Sequence, residues 1–278
     1  MTQHTTGTGK DWLPATTGTT SAEPGPQRMT SERAFRQPYL GLAALLFAAC
    51  AALTITRSAS MPAMVWMRMP GQTWAGAAAS FLGMWVVMMA AMMLPSLVPL
   101  LERYRGAVAR TGETRPIRLT ALVGVGYFFA WTGLGIAAFP VGGALAAIEM
   151  QLPALARSAP IAVGVVVVIA GSFQLTAWKA RHLASCREVP GHGHTLPADA
   201  GTAWRHGLHL GLHCMRCCAG LMATFLVIGM MDLRAMAAIT AIITGERLAS
   251  DGERVARAAG LAGLGSGLFL IERAAGLG

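Results

Sequence analysis

The amino-acid sequence predicts an all-α fold: a polytopic transmembrane helical bundle of about seven spans with its N-terminus in the cytoplasm. Three observations carry that expectation. Hydrophobic residues make up 54% of the chain and charged residues only 13%, with a mean hydropathy of +0.51, whereas a soluble globular chain carries nearer a quarter charged residues. Apolar runs of about twenty residues, the length a helix needs to cross the hydrocarbon core, recur along the sequence. Lysine and arginine fall mainly in alternate loops, as the positive-inside bias requires.

The first 38 residues, rich in Thr, Gly, Pro and Ser, have little to bury and are expected to form a disordered tail. They lack the basic-then-apolar order of a cleavable signal peptide. Residues 39–272 make the expected transmembrane helical domain, and 273–278 its C-terminal end. The first span is read at 39–56 and holds the isolated Cys50, whose expected role is packing. The second, at 73–101, contains the Met-Met runs. The third, at 119–147, is Gly-rich, and Pro140 should bend it. The fourth, at 160–178, is a Val/Ile/Ala helix, and the fifth, at 207–231, carries a cysteine and histidine cluster. Shorter segments at 233–245 and 255–271 complete the count. Alternate compartments then receive 16 and 5 lysines and arginines, with Arg216 left inside the fifth span. That asymmetry puts the N-terminus and the long 179–206 loop in the cytoplasm and the C-terminus outside. The net charge of +9 is therefore dealt out between apolar segments, not gathered into a patch for nucleic acid. No internal repeat points to an inverted-repeat transporter.

The chemistry concentrates between His206 and Cys218, where three of the seven histidines and three of the five cysteines fall within thirteen residues. On one helix His206, His209, His213 and Cys217 occupy an arc of about 80°. Imidazole and thiolate are donors for zinc and copper, and polar groups in hydrocarbon usually mark function. The candidate metal ligands are Cys214, Cys217, Cys218 and His213, with His209, His206 and Cys186 behind them. His192 and His194 form a compact loop pair that could catch a metal, or simply be solvated. Arg216, among the cysteines, either faces the bundle interior toward an anion such as a thiolate or Glu246, or snorkels to the headgroups. Adjacent Cys217 and Cys218 do not suit a disulfide with each other, and metal or redox chemistry is expected of the cluster.

Seventeen methionines are the second signal. Met61, Met64, Met67 and Met69 crowd the first external loop, and Met84, Met88 and Met92 step by four along the second span beside the pair Met89 and Met93. Thioethers bind Cu(I) and have little affinity for zinc, so Met61, Met64, Met67, Met88 and Met92 are candidate entry-side copper ligands. Methionine is also a common apolar gap-filler, and for the intramembrane ladder taken alone packing is the favoured reading. No nucleophile elbow, phosphate loop or metalloprotease motif is present, so the reading leans away from an enzyme.

The run from Gly211 to Met222, with Cys214, Cys217 and Cys218, followed by Gly229-Met-Met and Glu246-Arg247, resembles the C-terminal signature of a bacterial family of predicted metal-binding integral membrane proteins, sometimes labelled copper chaperone. The run from Trp85 through Met88-Met89 and Met92-Met93 to Pro95, and the segment from Phe173 to Lys179 with Cys186, are similar to it as well. The resemblance covers about residues 40–272. It implies a multi-span helical protein of the bacterial cytoplasmic (inner) membrane, with a metal site on Cys214, Cys217 and Cys218 and with Cys186 as a further candidate ligand. Arg216 departs from the pattern, where a small residue is expected, and Glu246-Arg247 stands for the usual Glu-Lys. The expected function is copper(I) handling, as chaperone or transporter, with zinc as the second metal. The expected partners are the lipid bilayer, the metal ion and a protein that delivers or receives metal; nucleic acid is not among them. The alternatives are a membrane oxidoreductase or maturation factor using the cluster as a redox or metal centre, and a structural subunit of a membrane complex.

Overall fold

The computed structural model describes residues 26–60, 71–109, 115–187 and 199–276, without the side chains of 26–38, 59–60, 154–155 and 187. Among the described residues it contains eight α-helices and no strand: α1 (Pro26–Ser60), α2 (Trp74–Ala109), α3 (Pro116–Gln151), α4 (Pro153–Gln174), α5 (Ala177–Arg187), α6 (Ala200–Ile228), α7 (Leu233–Leu248) and α8 (Gly252–Ala274). The chain divides into two units, residues 1–41 and 42–278. The first contributes only the opening turns of α1, and the second holds the bundle. The rest of α1 is apolar and almost wholly exposed, with Leu42, Leu45, Leu46 and Leu53 on its surface.

Six described helices, α1, α2, α3, α4, α6 and α8, are long and apolar enough to cross a membrane. The all-α membrane architecture read from the sequence is therefore the one observed. α7, with 16 residues, extends about 24 Å at 1.5 Å per residue, somewhat short of the hydrocarbon thickness. It is nevertheless the return limb of a hairpin with α6. Lys179 Nζ bonds both the Cys217 carbonyl and Glu246, so the end of α7 lies level with the second half of α6. The fourth span ends at Gln174, four residues before the expected limit at Trp178, and Trp178 belongs to α5. The opening of the expected 179–206 loop is thus helical, because Lys179, Leu183 and Cys186 are spaced to share one helix face, and all three are buried.

The helix ends follow local rules. Thr73 accepts from the Gly76 amide at 3.1 Å at the start of α2. Pro116 and Pro153 open α3 and α4, where a missing N–H is no loss. Asp199 caps α6, taking the Thr202 amide at 2.9 Å and its hydroxyl at 2.6 Å, and these bonds hold its carboxyl below the usual carboxylate range. Gly229, at a φ of +125°, turns the chain out of α6, and Asp232 then caps α7.

Small residues set the packing, as they do where lipid removes the hydrophobic drive between helices. Gly126 of α3 and Gly207 and Gly211 of α6 press backbone on backbone, with Val123 beside Gly207 and Tyr127 beside Gly211, so α3 and α6 run parallel. Gly164 and Gly171 of α4 meet Gly267 and Gly260 of α8 in the opposite order, so that pair is antiparallel. Gly135 makes room for the Trp85 ring, whose indole N–H donates to the Trp131 carbonyl at 2.9 Å.

A Cβ on Gly207 would collide with the Val123 carbonyl, whereas one on Gly133 would meet nothing within 4 Å. Gly207→Val should therefore cost about 1–3 kcal/mol by forcing α3 and α6 apart. Gly133→Ala should be neutral. Thermal unfolding of the two variants in one detergent checks the difference.

Candidate functional site

The buried side of α6 runs through Ala203, Gly207, Gly211, Cys214, Cys218, Leu221 and Phe225, a helical stripe spaced by threes and fours. Cys214 and Cys218 lie at its centre, with Cys217 on its flank. All three are at most 1% exposed. The Cys214 and Cys218 sulfurs stand 3.9 Å apart. Tyr127 of α3 donates its hydroxyl to Cys214 Sγ at 2.9 Å, and Met93 Sδ of α2 lies 4.0 Å from the same sulfur. Four groups from three helices thus converge on one point.

α5 brings in the fourth cysteine. Cys186 is buried, with its thiol 3.5 Å from the His213 carbonyl and its charge coupled to that of Cys217. The free thiols Cys186, Cys217, Cys218 and Cys214 are thus all buried, a string of cysteines from α5 along α6. Above it sits Lys179, with no exposed surface. Its ammonium donates to the Cys217 carbonyl and to Glu246, each at 2.7 Å, while Gln174 donates to the other Glu246 oxygen at 2.7 Å. A fully desolvated charge pair survives in such a place only when both ions have several partners.

The histidines divide. His213 is half-buried, and its ring Nδ1 is enclosed without a hydrogen-bond partner. His209 is exposed, and His206 stacks on Tyr104 with ring centroids 5.4 Å apart. The expected arc of His206, His209, His213 and Cys217 is real as helix geometry, but it runs along the margin of the buried stripe and leads outward from the thiols. Among the described residues, no three His, Cys, Asp or Glu side chains stand together in an arrangement that could hold a metal ion. The close sulfur neighbours of Cys214 are one cysteine and one methionine.

Arg216 is exposed, which accords with its snorkelling reading. The buried guanidinium is that of Arg247, 9% exposed, whose field acts most strongly on Cys214, Tyr127, Cys218 and Cys186. Glu246 pairs with Lys179 and not with Arg216. Met88 and Met92 are buried in the α2 core together with Met89. Met61, Met64, Met67, Met69, His192 and His194 lie outside the described residues. Tyr127 is the site group that the sequence did not bring forward, while Lys179 and Arg247 entered only as members of the family-like runs, with no role at the thiols. A tyrosine hydroxyl in an apolar helix needs a polar partner, and that was the available signal for Tyr127.

A model of the PpoB2 copper chaperone family matches residues 82–270, well over half of the chain. The chain belongs to the PpoB2 copper chaperone family. The matched region starts inside α2 and runs to the last turns of α8, so it takes in Met93, Tyr127, Lys179, Arg247 and the four buried cysteines. No curated protein and no solved structure gives a significant match.

Removing one member of the Lys179–Glu246 pair should leave an uncompensated buried charge. Lys179→Met and Glu246→Leu should each destabilise by about 3–5 kcal/mol, and the double variant by clearly less than their sum. Unfolding in mixed micelles, run as a double-mutant cycle, measures the coupling.

Proposed function

We propose that this membrane protein binds copper as Cu(I) on the thiols of Cys214, Cys217 and Cys218, with Cys186 and His213 beside them, and passes it to a receiving protein. The observation that carries the reading is the string of four free, buried thiols in a chain of a copper chaperone family. Soft thiolate and thioether donors favour Cu(I), while Zn(II) is the competing ion, held best by tetrahedral nitrogen and sulfur sets. The lysine and arginine count supports a cytoplasmic setting for the thiols, in a bacterial inner membrane on this reading, where cysteines stay reduced and open to metal.

Hand-off runs along α6. His213, His209 and His206 recede from the thiols toward the exposed start of the helix, giving the ion borderline ligands on the way to water. Met88, Met89 and Met92 add buried thioethers to α2 between Met93 and the helix start, and Met61, Met64 and Met67 precede that helix in the chain. They form the entry side of the same route. A role in binding and transfer needs no catalytic group, and the protein acts as a carrier and not as an enzyme.

Elemental analysis of the detergent-purified chain tests the reading. Wild type grown with copper and purified under reductant should carry one or more copper per chain. The Cys214→Ser/Cys217→Ser/Cys218→Ser variant should insert normally and carry none. Full copper in the triple variant would remove the proposed site, zinc in place of copper would change the metal, and no metal in either would leave a thiol-redox or structural role.

A further inference from the structure

Two features of the site go unused by a purely cysteine-based centre. Met93 is fully buried, and its Sδ lies 4.0 Å from Cys214 Sγ, nearly the same separation as the 3.9 Å between Cys214 and Cys218. Three sulfurs in a plane around a metal at about 2.3 Å stand about 4.0 Å apart. The two measured edges thus already have the length of a trigonal three-sulfur centre. They are also much shorter than the roughly 4.6 Å that two sulfurs need to bind an ion linearly at that bond length.

The second feature is Arg247. It is 9% exposed, its Nε and Nη2 are buried with no hydrogen-bond partner, and Cys214, Tyr127, Cys218 and Cys186 are among the ionisable groups around it. A guanidinium cannot shed its proton, so in an apolar bundle it needs an anion close by. Glu246, the adjacent carboxylate, is already held by Lys179 and Gln174. Neutral thiols do not provide the anion.

Resting on the copper-carrier reading above, we infer that the ion is held by the thiolates of Cys214 and Cys218 and the thioether of Met93, and that Arg247 balances the charge of that complex. Charge selects the cargo. A monovalent ion on two thiolates and one thioether leaves a net charge of minus one, which Arg247 neutralises. A divalent ion on the same three donors would be neutral and leave Arg247 without a counterion. Binding releases the two thiol protons to solvent or to the donor's own ligands, and no electron moves. Tyr127 keeps its hydrogen bond to Cys214 throughout, donating to the thiolate as it does to the thiol. Cys217 then passes from holding the resting ion to receiving it in transfer, with Cys186 beside it on the α5 side, and Met93 takes the third place in the centre.

X-ray absorption at the copper edge of the Cu(I)-loaded full chain in detergent reads the ligand shell directly. Wild type should show three sulfurs at about 2.3 Å, and Met93→Leu, a volume-conserving change, should show two. Competition with a chromophoric Cu(I) chelator should give a Met93→Leu affinity lower by about tenfold or more. Arg247→Met should lose preference for Cu(I) over Zn(II) by a similar factor, while Arg247→Lys keeps it. Three sulfurs retained in Met93→Leu would make the third ligand a cysteine and overturn the inference while leaving the copper carrier intact. An unchanged Cu(I)/Zn(II) preference in a folded Arg247→Met would overturn the charge-balance half. Failure of wild type to bind Cu(I) would sink the carrier reading itself.

Discussion

Lys179 reaches from a short helix to two acceptors at once, the carbonyl of Cys217 and the carboxylate of Glu246, and so ties α5, α6 and α7 together at the level of the thiols. Both acceptors are needed. In an apolar bundle an ammonium with one partner carries a desolvation cost that the attraction does not repay, and an unpaired carboxylate is no better. Gln174, at the last turn of α4, supplies the remaining donor to Glu246. Four helices thereby share one small polar knot. Its position is fixed by chemistry and not by shape, because no sliding of one helix past another keeps all the bonds. The cysteines inherit that precision.

The glycine contacts determine what the cysteines meet. Where Gly207 and Gly211 of α6 lie on Val123 and Tyr127 of α3, the two backbones touch. A tyrosine at that distance from the helix axis puts its hydroxyl on Cys214, one turn further along, with no room for water between. On the other side, α4 and α8 are locked by glycines spaced seven residues apart, 164 with 171 and 260 with 267, which holds Gln174 at the height of Glu246. Packing by small residues and polar bonding by large ones are therefore the same constraint seen at two radii: the first brings backbones close, the second makes one register preferable.

Sequence reasoning reached the membrane architecture because hydrocarbon imposes a length and a composition that few soluble helices meet. The fifth span and its cysteines were legible for the same reason, since thiols at 214, 217 and 218 are conspicuous in an apolar run. The histidine stripe was legible as geometry but misleading as environment. An 80° arc says which residues share a face; it does not say whether the face looks at α3 or at solvent, and here glycines, not histidines, mark the contact side. α5 was hidden because its buried face contains a lysine, and Lys179-x3-Leu183-x2-Cys186 reads as a helix only once the lysine is allowed inside. Arg216, the arginine among the cysteines in sequence, projects from the exposed side of α6, and the buried guanidinium is that of Arg247, which comes from the following helix and could not be placed from the sequence.

The same polar knot governs access. The sulfurs of the site are essentially inaccessible from outside, and α5 covers them with Lys179, Leu183 and Cys186. A cavity of about 260 Å3, bounded by Gln174, Thr176, Lys179, Leu183, Glu253 and Arg257, lies on that side of the bundle. Lys179 is among its lining residues, and none of the cysteines is. Lys179 therefore stands between solvent and sulfur, and its acceptor is the backbone of a cysteine in the string. Any ligand that draws the Cys217 backbone toward an incoming ion pulls on the bond that keeps α5 seated. The bond that seats α5 over the thiols is thus made to the backbone of one of them, so the helix cover and the position of Cys217 are set by a single contact.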